Sequence, residues 1–132
     1  CIYKVRYRGD KMILKKCDKC GAMVKVLKDC ECSGCGIQCC EGSMSLVQSN
    51  SIEASFEKHV PTYERMDDKV KVVVNHVMDD DHYIEWICLE GNDTEITVKL
   101  KPGQKAEVMF PYINSATLYA YCNKHGLWEN KI

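Results

Sequence analysis

Eight of the ten cysteines fall within the first 40 residues of this 132-residue chain. That crowding limits what the front of the molecule can become. Residues 17–40 are rich in Cys, Gly, Asp and Lys and poor in large apolar groups. Such a segment cannot bury enough surface to fold by itself, so a metal must supply the missing stability. Small secreted domains use this thiol density for disulfides, whereas proteins of reducing compartments use it for metal. The Cys17-Asp18-Lys19-Cys20 spacing and the adjacent Cys39-Cys40 pair favour metal. Residues 1–11 lack the apolar core and cleavage site of a secretory signal. They read as an extension ahead of Met12, and the expected compartment is a reducing cytoplasm.

The composition changes near residue 43, and Gln48-Ser49-Asn50-Ser51 reads as a short polar linker. The expected organisation is an extension over 1–11, a cysteine module over 12–47 and a second domain over 48–132. The second domain reads as β-rich. Residues 70–74 are mostly valine. Over 83–89, Ile84, Trp86 and Cys88 alternate with Tyr83, Glu85 and Ile87. Ile96, Val98 and Leu100 alternate with Glu95, Thr97 and Lys99, and residues 105–110 and 116–122 follow. Turn residues at 78–81, 91–93, 102–103 and 114–115 separate these runs. Short strands at this spacing predict an all-β antiparallel sandwich or barrel, and no stretch carries a helical period. The formal net charge of -1 offers no basic field for nucleic acid. No apolar run approaches the length of a membrane span.

All four histidines lie in this β-rich part: His59 before a Val-Pro extension, His76 and His82 around one short acidic turn, and His125 in the loop behind the last strand, which Cys122 ends. Cys122 and His125 have the spacing of a Cys-x-x-His chelate. Four imidazoles and a thiolate are too many for a closed tetrahedral zinc site. They suit a higher-coordinate transition metal, iron above all, with one position left open for a small molecule. Strand ends and loops can converge at one rim of a sandwich, where such a metal stays reachable.

The segments FEKHVP, NHVMDDDHYIEW, LKPGQ and CNKHGLW together resemble the superoxide reductase domain of desulfoferrodoxins, over residues 52–129. The resemblance implies an immunoglobulin-like β-sandwich and a mononuclear non-haem iron. Its equatorial ligands would be His59, His76, His82 and His125, and its axial ligand Cys122. It implies that Lys58 attracts and orients superoxide, a role a cation can perform by raising the local anion concentration. Glu57 would occupy the sixth position of the oxidised resting site. The implied reaction is one-electron reduction of superoxide to hydrogen peroxide, with a rubredoxin-type protein as electron donor and a homodimer as the usual assembly.

Cys17-Asp18-Lys19-Cys20-Gly21 and Cys39-Cys40 resemble the rubredoxin-like desulforedoxin module that precedes this domain in two-iron family members. That implies a second iron held by Cys17, Cys20, Cys39 and Cys40, a closed site that carries electrons. The chain departs from the family pattern in its spacing and in three extra thiols, Cys30, Cys32 and Cys35. Cys17/Cys20 with Cys32/Cys35 would also make a zinc-ribbon knuckle. Cys39/Cys40 are favoured because Glu41-Gly42 and Met44 follow them. Cys1 and Cys88 need no special role, Cys88 as a small apolar strand residue. Two other functions stay open at this point: a non-catalytic electron carrier and a zinc-stabilised binding module.

Overall fold

The computed structural model describes residues 12–30, 36–51 and 54–132; Cys1, Cys32, Cys35 and the expected extension over 1–11 lie outside them. Among the described residues every regular element is a strand, apart from one 3-10 turn over Phe56–Lys58. The all-β expectation holds. No helix among the described residues is long and apolar enough to cross a membrane. The chain divides into two compact units, up to Gln48 and from Ser49 onward.

The first unit is small. Its strands are β1 (Leu14–Lys16), β2 (Met23–Lys25), β3 (Gln38–Cys39), β4 (Gly42–Ser43) and β5 (Ser45–Leu46). They form a sheet in the order β2-β1-β5 and a separate β3-β4 hairpin. The apolar interior among the described residues is slight, with Leu14, Cys17 and Met44 buried. Two turns therefore define the unit. In the first, Gly21 takes the left-handed φ of 82° that the end of the Cys17–Cys20 loop requires. In the second, Cys40 (φ 52°) and Glu41 (φ 63°) are both left-handed, between the paired residues Cys39 and Gly42. Two successive positive φ values make a type I′ hairpin, the tight turn that matches strand twist. The usual residues there are Asn and Gly, so this turn is strained.

The second unit contains β6 (Thr62–Met66), β7 (Lys69–Val73), β8 (Ile84–Glu90), β9 (Glu95–Lys99), β10 (Glu107–Pro111), β11 (Thr117–Cys122) and β12 (Gly126–Lys131). Two antiparallel sheets, β10-β7-β6 and β12-β11-β8-β9, make a sandwich. Val70, Val72, Val108 and Phe110 of one sheet meet Ile84, Ile87, Leu89, Leu118 and Ala120 of the other in one buried core. Each such side chain contributes about 1.5–3 kcal/mol by leaving water. Gly91 lies where the chain passes Ile113, whose Cγ2 would be 2.7 Å from any added Cβ.

Three expectations need correction. The alternation read over β8 has the wrong phase: Ile84, Ile87 and Leu89 face the core, while Trp86 stacks on Tyr121 with ring centroids 5.7 Å apart. A bulge causes this, because Tyr121 pairs with Trp86 but Cys122 pairs with Ile84, leaving Glu85 as the extra residue. Cys122 does not end the last strand, since β12 follows and pairs along the length of β11. The segment read as a linker is tied down at Ser49 and Asn50. The Ser49 hydroxyl donates to Glu129 Oε1 (2.6 Å), the Asn50 N–H to the Leu127 carbonyl (2.8 Å), and the Glu129 N–H to Asn50 Oδ1 (2.9 Å).

Candidate metal centres

The β11-β12 connection places two candidate ligands. Cys122 ends β11 inside the core, and the chain turns through Asn123, Lys124 and His125 before Gly126 opens β12 with a φ of 82°. His76 and His82 come from the loop between β7 and β8, which closes on itself through the Asp79–His82 bridge. His59 follows the 3-10 turn, whose Lys58 N–H donates to the Ser55 carbonyl at 3.2 Å. Sixty-six residues separate His59 from His125, yet His59 Nε2 and His125 Nδ1 stand 3.1 Å apart. The Cys122 thiol lies 3.4 Å from His76 Nε2 and 3.7 Å from His125 Nδ1. One ligand atom from each of the five residues lies within 4.8 Å of the others.

The four imidazoles form a closed cycle. Ring centroids are 4.8 Å apart for His59–His76, 4.7 Å for His76–His82, 5.1 Å for His82–His125 and 4.8 Å for His125–His59. Each ring stands edge-on to its neighbours, at angles between 68° and 87°. With metal–nitrogen bonds of about 2.1 Å, adjacent ligand atoms on a square would be about 3.0 Å apart. The His59–His125 separation meets that spacing.

Hydrogen bonds decide which nitrogen of each ring is free. His59 Nδ1 donates to the Ser55 carbonyl at 2.7 Å, and His76 Nδ1 donates to the Val77 carbonyl at 2.5 Å. A neutral imidazole that donates through Nδ1 keeps its lone pair on Nε2. His82 Nε2 is buried and has no hydrogen-bond partner, an arrangement that costs free energy unless a ligand fills it. His125 approaches through Nδ1. Burial above all holds the His59 pKa below its ordinary value, against the pull of the Ser55 carbonyl, and the nearby Lys58 ammonium adds to it. Burial likewise lowers His76, with the Val77 carbonyl opposing. Neutral rings with inward lone pairs are what a metal needs. The donor set fits iron: mixed nitrogen and thiolate, five ligands, and no carboxylate among them.

Two residues outside the ligand set support the cluster. Trp128 is fully buried; it stacks on His59 and donates its indole N–H to the His125 carbonyl at 3.0 Å. The second is Asn123, whose bonds to the backbone of residues 81 and 83 arise only in three dimensions, so no sequence spacing signals it. Glu57 and Lys58 are exposed on the 3-10 turn immediately before buried His59.

The second cluster joins the two turns of the small unit. Ligand atoms of Cys17, Cys20, Cys39 and Cys40 all lie within 4.8 Å of one another. Cys20 Sγ is 3.6 Å from Cys39 Sγ, and Cys39 Sγ is 3.9 Å from Cys40 Sγ. Tetrahedral thiolates at about 2.3 Å from a metal would be about 3.8 Å apart. The backbone N–H groups of Cys20 and Lys19 point at Cys17 Sγ and lower its pKa to about 6, against the effect of burial. Cys39 is pushed up to about 12 by its hydrogen bonds with Cys20, Cys17 and Cys40. Four thiols converging so closely share protons poorly, and a cation relieves the conflict. Cys30 is half-buried, with its N–H bonded to Asp29 Oδ1 at 2.8 Å. Cys88 is a buried strand residue of the sandwich.

Comparison with known proteins places the chain in a family. The Desulfoferrodoxin family model matches residues 51–131. The chain is 42% identical over 126 residues to a desulfoferrodoxin of Desulfarculus baarsii, covering 91% of this chain and 96% of that one. It is 38% identical over 128 residues to a desulfoferrodoxin of Syntrophotalea carbinolica, covering 93% and 98% respectively. Its fold matches the crystal structure of the superoxide reductase from Treponema pallidum with a TM-score of 0.70 and 26% identity, over 92% of this chain and 99% of that one. With the family model and these relatives in agreement, the chain belongs to the desulfoferrodoxin family.

Proposed function

We propose that this protein is a superoxide reductase that converts superoxide, one electron and two protons into hydrogen peroxide. The observation that carries the reading is the five-residue cluster of His59, His76, His82, His125 and Cys122, with the exposed charged pair Glu57 and Lys58 on the turn just before His59. The family binds iron, and both clusters could hold a metal ion. Bound iron would supply single-electron chemistry and an open coordination position. The imidazoles hold their lone pairs inward through the Ser55 and Val77 carbonyls. Buried Cys122 keeps its thiolate shielded from solvent on the core side.

Lys58 draws superoxide toward the site and, through water, helps deliver protons to the product. Glu57, its neighbour on the same turn, covers the site in the oxidised protein and withdraws on reduction. Electrons come from a rubredoxin-type donor. In this reading residues 12–47 form the four-cysteine module with a second iron, and residues 48–132 form the catalytic domain. The protein works as a homodimer in a reducing cytoplasm.

Iron analysis with visible spectra, followed by pulse radiolysis, tests this reading. The expected result is iron in the histidine cluster and rapid second-order decay of superoxide. Lys58→Ala should slow that decay roughly 10-fold at low salt and flatten its dependence on ionic strength, with iron still bound. A protein that holds only zinc, or that holds iron and leaves superoxide untouched, would sink the proposal.

A further inference from the structure

We infer that Asn123 is a positioning residue that fixes the His82 loop against the Cys122–His125 turn, and so sets the ligand field of the histidine site. Asn123 sits between two ligands in sequence and makes three bonds to a third ligand's neighbours. Its side-chain Oδ1 accepts from the Tyr83 N–H at 3.0 Å. Its Nδ2 donates to the Asp81 carbonyl at 3.1 Å. Its own N–H donates to the Tyr83 carbonyl at 3.2 Å. Asp81 and Tyr83 flank His82, so one carboxamide grips the backbone on both sides of that ligand.

The other ligands are oriented by different means. His59 and His76 are steered through Nδ1 by carbonyl acceptors, and His125 belongs to the same turn as Asn123. His82 lies in the acidic 79–82 turn, and its Nε2 is buried and unpartnered. Its direction therefore depends on how its backbone is held. Only a carboxamide of this length can accept from residue 83 and donate to residue 81 together. Asp keeps the acceptor and loses the donor, turning a negative oxygen toward the Asp81 carbonyl. Ala loses both. Partners that orient metal ligands in this way typically alter metal affinity about 10- to 100-fold when removed.

The inference rests on the reading that the histidine cluster holds iron, and the test separates the two. Iron-loaded full-length protein and its Asn123→Ala and Asn123→Asp variants would be compared in two ways. One is the iron–thiolate absorption and electron paramagnetic resonance signal of the oxidised histidine site. The other is the rate at which a chelator extracts that iron. The expected result is a displaced signal and about 10- to 100-fold faster extraction in Asn123→Ala, with a smaller change in Asn123→Asp. The four-cysteine absorption should be identical in all three proteins. Parent-like signals and extraction rates in the variants, with only a lower melting temperature, would overturn the positioning role. If Asn123→Ala does not fold, Asn123→Asp decides alone, and parent-like behaviour there would equally overturn it. A parent protein without iron in the histidine cluster would instead refute the proposed function.

Discussion

His59 lies against Trp128, ring centroids 5.0 Å apart and planes 27° from parallel. The same indole donates to the His125 carbonyl, so one side chain braces ligands from opposite ends of the domain. Trp128→Phe keeps an aromatic face but loses that donor and some volume. It should destabilise the second unit by about 1–3 kcal/mol and shift the absorption of the histidine iron. Calorimetry and visible spectra of the same sample check both effects. A melting temperature and spectrum equal to the parent's would show that the contact is idle.

Gly91 predicts a different kind of cost. A methyl group there would meet Ile113 Cγ2 at 2.7 Å. Gly91→Ala should lower stability by about 1–3 kcal/mol through overpacking. Ile113→Ala in the same protein should recover part of that loss, because it opens the space the methyl needs. A double-mutant cycle measured by denaturant unfolding would reveal the coupling, and strict additivity would rule out the clash.

The small unit offers a test of its ligand set. Cys17, Cys20, Cys39 and Cys40 converge within 4.8 Å. Cys40→Ser should abolish the four-thiolate iron absorption or shift it strongly. Cys32→Ser and Cys35→Ser should leave it unchanged. The reverse pattern would favour the zinc-ribbon pairing of Cys17/Cys20 with Cys32/Cys35.

Asp29 gives the small unit a measurable pH response. Burial works to raise its pKa, but the Cys30 N–H and the Lys15 ammonium outweigh it and hold the carboxyl below its ordinary value. Lys15 Nζ lies 3.2 Å from Asp29 Oδ1, with both side chains mostly covered. A depressed carboxylate stabilises the fold above its unfolded pKa of about 3.9, and that benefit fades as pH falls through the folded value. Asp29→Asn should therefore cost about 1 kcal/mol at pH 7 and progressively less below about pH 4. Melting curves of parent and variant across that range provide the check; a difference that grows on acidification would contradict the sign.

The candidate ligands were legible because Cys, His and their spacings are rare and chemically explicit. Much of the sandwich was legible through period-2 alternation in residues such as Ile96, Val98 and Leu100. The gaps have physical causes. Strand β6 is an edge strand exposed along its whole length, so it carries no inside–outside pattern. In β12, Leu127 and Trp128 are consecutive and both buried, so alternation fails again. The phase error in β8 came from one extra residue, Glu85, that only pairing with β11 exposes. Asn123 was invisible because its partners at 81 and 83 are backbone groups some 40 residues away.

The distance along the chain between His59 and His125 implies an order of events during assembly. Sixty-six residues must be arranged before those two nitrogens come within 3.1 Å. Closing so long a loop is slow, and a lone ion cannot recruit the ligands one by one. On that ground the sandwich would largely close first, and a metal would then enter a finished pocket. In the small unit, Cys20 and Cys39 are 19 residues apart with little apolar interior to hold them. There an ion would arrive early and gather the chain around itself. Two metals bound at these clusters would thus meet the chain on opposite schedules, one as a guest of the fold and the other as its founder.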